Sequence, residues 1–173
     1  ALERLDRPMA VADLGTGSGA IALALQSQRP QAQVTAVDAS TDALDVARAN
    51  AARLGLPVTF RQGSWLQGDT SHYGLIVSNP PYVAAADPHL AALRHEPLQA
   101  LASGPDGLAD IRQIIQQAPG RLHPGGWLLL EHGHDQAQAV RSLLVAQGYT
   151  QVTSRRDLAG IERCSGGQWL ERG

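Results

Sequence analysis

Short runs rich in apolar and β-branched residues alternate along this chain with longer segments whose apolar residues recur at helical spacing, and that alternation leaves few folds open. A strand that runs into a helix and returns beside a parallel neighbour buries both faces, so it reads as a near-continuous apolar run. By that criterion strands are expected at Met9–Leu14, Val34–Val37, Val58–Arg61, Leu75–Ser78, Trp127–Glu131, Gln151–Ser154 and Gln168–Leu170. Helices are expected at Ala20–Gln28, Asp42–Leu54, Asp110–Ala118 and Gln136–Gln147, with Thr41 capping the second and Gly55 ending it. "DLAGIERCSGG" joins the last two strands without helical spacing, so these two should pair antiparallel, with Gly166 and Gly167 at the hairpin turn. The expected fold class is α/β: a seven-stranded, mostly parallel, doubly wound sheet that ends in an antiparallel hairpin. Residues 84–105 carry no clear periodicity and read as a long loop beside the ligand crevice.

A chain of 173 residues fits one domain with a real core, and residues 1–173 are read as a single catalytic domain. Its opening, "ALERLDRP", reaches the first strand within about ten residues, as an excised domain of a longer protein would. The formal net charge of -2 argues against a chain whose main affinity is for a phosphate backbone, so no direct nucleic-acid partner is expected. Cys164 is the sole cysteine, which excludes an internal disulfide and fits a reducing compartment. The longest apolar runs, such as "WLLL", are strand-sized; no membrane partner is expected, and the location read from the sequence is cytoplasmic.

"VADLGTGSGAIALAL" places Gly15, Thr16, Gly17, Ser18 and Gly19 between the first strand and the first helix. Glycines there let the backbone turn tightly and approach a ligand lying over the helix N-terminus. Asp38, at the end of the second strand, has the offset of a carboxylate that accepts from ribose hydroxyls. The pattern also fits a nicotinamide dinucleotide, but Asp13 just before the glycines suits the ammonium of a methionine moiety and would repel a pyrophosphate. S-adenosylmethionine is therefore the expected cofactor, with Trp65 after the third strand offering a face for its adenine.

"VSNPPYV" is the second constellation. Asn79 leaves the fourth strand at its C-terminal end, and the two prolines after it hold the backbone extended, so the Asn79 side-chain oxygen and the Pro80 carbonyl become two acceptors of little freedom. Two fixed acceptors suit one planar NH2 group, whose hydrogens they would hold in the geometry of an attacking nitrogen. Pro81 and Tyr82 complete the candidate substrate site, with Tyr82 placed to pack on the planar group. Asn79, Pro80 and Tyr82 are the candidate catalytic residues, and transfer to such a nitrogen calls for no strong base and no metal.

"DLGTGSG" followed by "NPPY" resembles the methyltransferases that modify exocyclic amino groups of nucleobases or glutamine side chains of proteins. "IVSNPPYV", "HEPLQALASGPDGLADIRQII", "LHPGGWLLLEHG" and "RDLAGIER" together resemble the HemK/PrmC family, the protein-glutamine methyltransferases acting on the Gly-Gly-Gln loop of peptide chain release factors. The resemblance implies a Rossmann-like class I S-adenosylmethionine-dependent fold, and a release factor as protein partner. It implies a cofactor site at Asp13, Gly15 to Gly19, Asp38, Ser64, Trp65 and Asn79, and a glutamine site at Asn79, Pro80, Pro81 and Tyr82. Relatives often carry an acidic residue where this chain has Ser64, and the family's N-terminal helical domain, which helps dock the release factor, is not part of the sequence. The competing substrates are a ribosomal-protein glutamine and a nucleic-acid amino group; the competing classes are a nicotinamide oxidoreductase and a non-catalytic adaptor.

In "EHGHD", His132 and His134 do not match zinc spacings, and the segment reads as a polar loop at a strand end. His95 and Glu96 read as a surface ion pair in the long loop.

Overall fold

The computed structural model describes residues 1–85 and 103–170. Seven strands, β1 (Ala10–Leu14), β2 (Gln33–Asp38), β3 (Thr59–Gln62), β4 (Tyr73–Ser78), β5 (Leu122–Glu131), β6 (Thr150–Arg156) and β7 (Glu162–Gln168), form one sheet in the order β3-β2-β1-β4-β5-β7-β6. The first five run parallel, while β7 is antiparallel to both β5 and β6. The helices α1 (Ala20–Gln28), α2 (Thr41–Leu54), α3 (Ala109–Gln117) and α4 (Ala137–Gln147) complete the expected α/β architecture.

Alternate residues of each central strand divide the core in two. Ala12, Leu14, Ile76, Leu128 and Leu130 face a cluster that includes Ile111, Ile114 and Ile115 of α3 and Val140 and Leu144 of α4. Val11, Val34, Leu75, Val77 and Trp127 face the other way and meet Ala22 and Leu25 of α1. Burial on both faces is why these strands read as unbroken apolar runs rather than as alternating ones. The strand order reverses between β1 and β4, and at such a switch point the crevice above the carboxyl ends of the strands is open to a ligand.

Three expectations need correction. The cap of α2 is Ser40, whose Oγ accepts from the Ala43 N–H at 3.2 Å, and Thr41 is the first helical residue. The C-terminal end of α2 is Gly55, as expected, at φ 64°, a left-handed position that suits glycine. The final strand is Glu162–Gln168 rather than 168–170, and the hairpin turn is Asp157 to Ile161, closed by Asp157 N–H to the Ile161 carbonyl at 2.8 Å. Gly166 and Gly167 thus lie inside β7, buried, opposite Leu129 and Leu128 of β5. Their glycines are required by close approach: a Cβ on Gly166 would strike the Leu128 carbonyl and come within 2.5 Å of Leu129 Cδ2. The expected loop at 84–105 lies mostly outside the described residues, as do His95 and Glu96.

Gly166→Val should lower stability by about 1–3 kcal/mol through overpacking at this crossing, read as a fall in melting temperature by calorimetry. An unchanged melting temperature would contradict the packing described.

Candidate active site

The glycine loop and the Asn79 loop leave neighbouring strands at matched height, because Leu14 of β1 is paired with Ser78 of β4. Ser78 Oγ, itself buried, donates to the Leu14 carbonyl at 2.7 Å and ties the two exits together. Beside them a cavity of about 300 Å³ is lined by Gly15, Asp38, Ser64, Trp65, Asn79 and Pro81, together with Ala39, Gly63 and Asp110. Five segments far apart in sequence therefore meet at one crevice.

The loop is held by its own hydrogen bonds. The Gly15 and Thr16 N–H groups donate to the Val37 carbonyl at 2.8 and 3.0 Å, the Gly19 N–H donates to the Thr16 carbonyl at 2.9 Å, and Gly17 N–H donates to Asp38 Oδ2 at 2.8 Å. Gly15, Gly17 and Gly19 all have positive φ, at 68°, 55° and 84°. A Cβ on Gly15 would come within 3.0 Å of Trp65 Cζ3, so the bare backbone is what lets the indole lie over the loop. Gly19 is buried against Leu23 and Ala47; its bareness serves the approach of α1 to α2. Ser18 is exposed, and its carbonyl accepts from Asn50 Nδ2 at 3.0 Å. Asp38 spends one oxygen on Gly17 and the other on the Ser40 N–H at 2.9 Å, which fixes the carboxylate while leaving lone pairs toward the crevice.

Asp13 sits under the loop rather than on the cavity wall, 1% exposed. Its Oδ2 accepts from the Thr16 hydroxyl at 2.6 Å and from the Ala22 N–H at 3.1 Å, and Oδ1 is buried without a partner. Burial pushes its carboxyl up to about 6, against the pull of those two hydrogen bonds.

At the other loop, Asn79 is exposed at the cavity, Pro80 is buried, and Pro81 and Tyr82 are half-buried. Tyr82 is braced at two points. Its hydroxyl accepts from Arg163 Nη2 at 3.0 Å and its carbonyl accepts from Gln136 Nε2 at 3.0 Å, while Gln136 Oε1 accepts from the Gly133 N–H at 2.8 Å. Neither Pro80 nor Tyr82 lines the cavity itself.

Residues 2–104 match the methyltransferase small domain family. The chain belongs to that family. Among curated relatives, a release factor glutamine methyltransferase of Xylella fastidiosa is 52% identical over 97% of this chain and 63% of its own length. Another protein of that name, from Bordetella pertussis, is 55% identical over 91% of this chain and 60% of its own length. The chain thus spans about three fifths of these relatives. A solved methyltransferase from Pyrococcus furiosus, 17% identical, superposes with a TM-score of 0.75 over 94% of this chain and 76% of that one, a likeness of fold.

In this methyltransferase domain the sequence signals at Gly15, Asp38, Ser64, Trp65, Asn79 and Pro81 converge on one crevice, and those at Asp13, Thr16, Gly19, Pro80 and Tyr82 support its walls from behind. Two features escaped sequence reasoning. Asp110 enters the cavity wall from the first turn of α3; it lies within "HEPLQALASGPDGLADIRQII", but no site role was read for it there. His132, read as part of a polar loop, is fully buried. Its Nε2 meets Ser165 Oγ at 2.8 Å, which meets Ser154 Oγ at 2.7 Å, and Arg141 Nη1 donates to Ser154 at 2.6 Å. Its Nδ1 lies 2.9 Å from the Gly133 carbonyl. Burial lowers the His132 pKa, and the neutral ring donates from Nδ1 and accepts at Nε2, completing a run of donors from Arg141 to Gly133. Among the described residues no group of three His, Cys, Asp or Glu side chains is arranged to hold a metal.

Asp13 gives a pH signature. The unfolded carboxyl titrates near ~3.9 and the folded one near 6, so the folded chain keeps the proton longer. Its contribution to stability is complete below about pH 4 and is lost as pH rises through about 6. Asp13→Asn, which keeps an oxygen for Thr16 and Ala22, should flatten that part of the stability profile in urea melts; identical slopes in both proteins would contradict the assignment.

Proposed function

We propose that this chain transfers a methyl group from S-adenosylmethionine to the side-chain amide nitrogen of a protein glutamine, the one in the Gly-Gly-Gln loop of peptide chain release factors. The observation that carries this reading is the cavity where Asn79 shares a wall with Gly15, Asp38 and Trp65, so that a nucleoside site and an amino-group site adjoin.

The residues fit the cofactor in four respects. The bare Gly15 lets the Trp65 indole lie over the loop at the cavity wall, where a base can stack on it. Asp38, fixed by Gly17 and Ser40, has capacity left for ribose hydroxyls. Gly17 has open space where a side chain would stand. The unpartnered Asp13 Oδ1 is an acceptor for an ammonium group, which would relieve the cost of its burial. Bound there, S-adenosylmethionine supplies an electrophilic methyl group on a sulfonium.

The chain's own residues act on the nitrogen. Asn79 Oδ1 and the Pro80 carbonyl accept its two hydrogens, the two consecutive prolines limiting the backbone's freedom there. An amide nitrogen so held loses conjugation and presents its lone pair along the line of transfer, a geometry bound better in the transition state than in the ground state. The nitrogen's lone pair bonds the methyl carbon as the sulfur–methyl bond breaks and its electron pair stays on the departing thioether, and the nitrogen afterwards releases one proton to solvent, with no side-chain base required. Tyr82, held by Arg163 at its hydroxyl and by Gln136 at its carbonyl, anchors the loop, and its ring is the face proposed to pack on the planar group.

A nucleobase amino group presents the same chemistry; the activity named for the relatives favours glutamine. On this reading residues 1–173 form the catalytic unit, the release factor is the protein partner and the setting is the cytoplasm, in keeping with the lone Cys164. Asn79→Ala should cut transfer by about 100-fold or more while the affinity for S-adenosylhomocysteine changes by less than about threefold, measured by methyl incorporation and calorimetry. Retained turnover in that variant would defeat the mechanism.

A further inference from the structure

We infer that Asp110 reads the exocyclic amino group of the cofactor's adenine, supplying from α3 the carboxylate that the position before Trp65 does not provide; the inference rests on the S-adenosylmethionine reading above. Three observations bear on it. Asp110, Ser64 and Trp65 line the same cavity, and Asp38 is the only other carboxylate lining it among the described residues. Asp38 is drawn toward Gly17 and Ser40 at the ribose end, so it is not available to a base lying against Trp65. The Asp110 carboxylate itself makes no hydrogen bond among the described residues, although its backbone N–H is fixed by Ser103 Oγ at 2.8 Å.

The placement of α3 points Asp110 to the base and away from the transferred methyl. Gln117 stands seven residues on, two turns along the same helix face. Its Oε1 accepts from the Leu66 N–H at 3.0 Å, so this face lies along the loop that carries Ser64 and Trp65. Ile111, Ile114 and Ile115, all fully or almost fully buried, hold the adjoining face of the helix in the core and prevent it from rolling.

The chemistry follows from what each wall can offer. Trp65 provides a face for a purine and nothing for its edge. Ser64 is exposed and carries a single hydroxyl, which both donates and accepts and therefore does not distinguish an amino group from a carbonyl. A carboxylate only accepts, so Asp110 favours the NH2 of adenine and repels an oxygen at that position. A site built on such a contact rejects the analogue that lacks it, because the carboxylate is then left facing an acceptor.

Calorimetric titration of the whole chain with S-adenosylhomocysteine and with S-inosylhomocysteine, in which oxygen replaces the exocyclic amino group, tests this. Both ligands lack the sulfonium charge and carry the same ammonium group, so attraction between Asp110 and a cation cancels in the comparison. The wild-type chain should prefer the adenine ligand by about 30-fold or more, and Asp110→Ala should reduce that preference to less than about threefold, with the inosine ligand bound as well as before or better. Ser64→Ala should keep the preference. The inference is overturned if Asp110→Ala keeps it, if Ser64→Ala abolishes it, or if Asp110→Ala weakens both ligands equally. Equal binding of both ligands by the wild-type chain defeats Asp110 alone, whereas binding of neither defeats the cofactor reading and the inference with it.

Discussion

The pairing of Leu14 with Ser78, in register across two central parallel strands, is the constraint on which the site depends. Both strands end there, and everything beyond is irregular backbone that must find its own partners. The buried Ser78 hydroxyl, bonded to the Leu14 carbonyl, locks the two exits at one height. A shift of the register by one residue would turn Asn79 toward the opposite face of the sheet and separate it from Gly15. The two apolar layers, with α3 and α4 on one side and α1 on the other, are what make such a shift costly.

Above that edge, order is achieved with short-range hydrogen bonds rather than with core. The glycine loop bonds to the end of β2 through Val37 and Asp38, and Asp13 beneath it serves Thr16 and Ala22. The Asn79 loop is held from the far side of the sheet, where Arg163 of β7 and Gln136 before α4 take the two polar ends of Tyr82. The antiparallel strand pair at the end of the chain thus contributes to the site without lining the cavity. His132 and Ser165, buried, and Ser154 and Arg141, half-buried, form a polar seam in which each member has a partner, as a low-dielectric setting demands.

The fold was legible because strands buried on both faces leave an apolar signature, and because the absence of helical spacing before the last strand already told of an antiparallel end. The site was legible where function forces unusual residues: a run of glycines with positive φ, a carboxylate at the end of β2, and Asn79 before two prolines. What failed had physical reasons. "ERCSGGQ" lacks β-branched residues and reads as a turn, yet it is a strand because only glycine fits against Leu128, Leu129 and Tyr149. "LHPGG" carries proline and two glycines at the start of β5, where pairing is sparse and propensity matters little. His132 read as part of a polar loop, but the hydroxyl that satisfies it, Ser165, comes from a later strand and is itself held by Ser154 of another. Asp110 lies some thirty residues beyond Asn79, and nothing local announces that α3 brings it to the cavity.

The central claim is that the adjoining nucleoside and amino-group sites move a methyl group onto a protein glutamine. Incubating the chain with methyl-labelled S-adenosylmethionine and a mixture of release factor, ribosomal protein and DNA tests it directly, with the labelled species mapped by mass spectrometry. The account predicts label on the glutamine of the release factor's Gly-Gly-Gln loop and on no other component. Label on a nucleobase amino group, or on a protein residue other than glutamine, would contradict it.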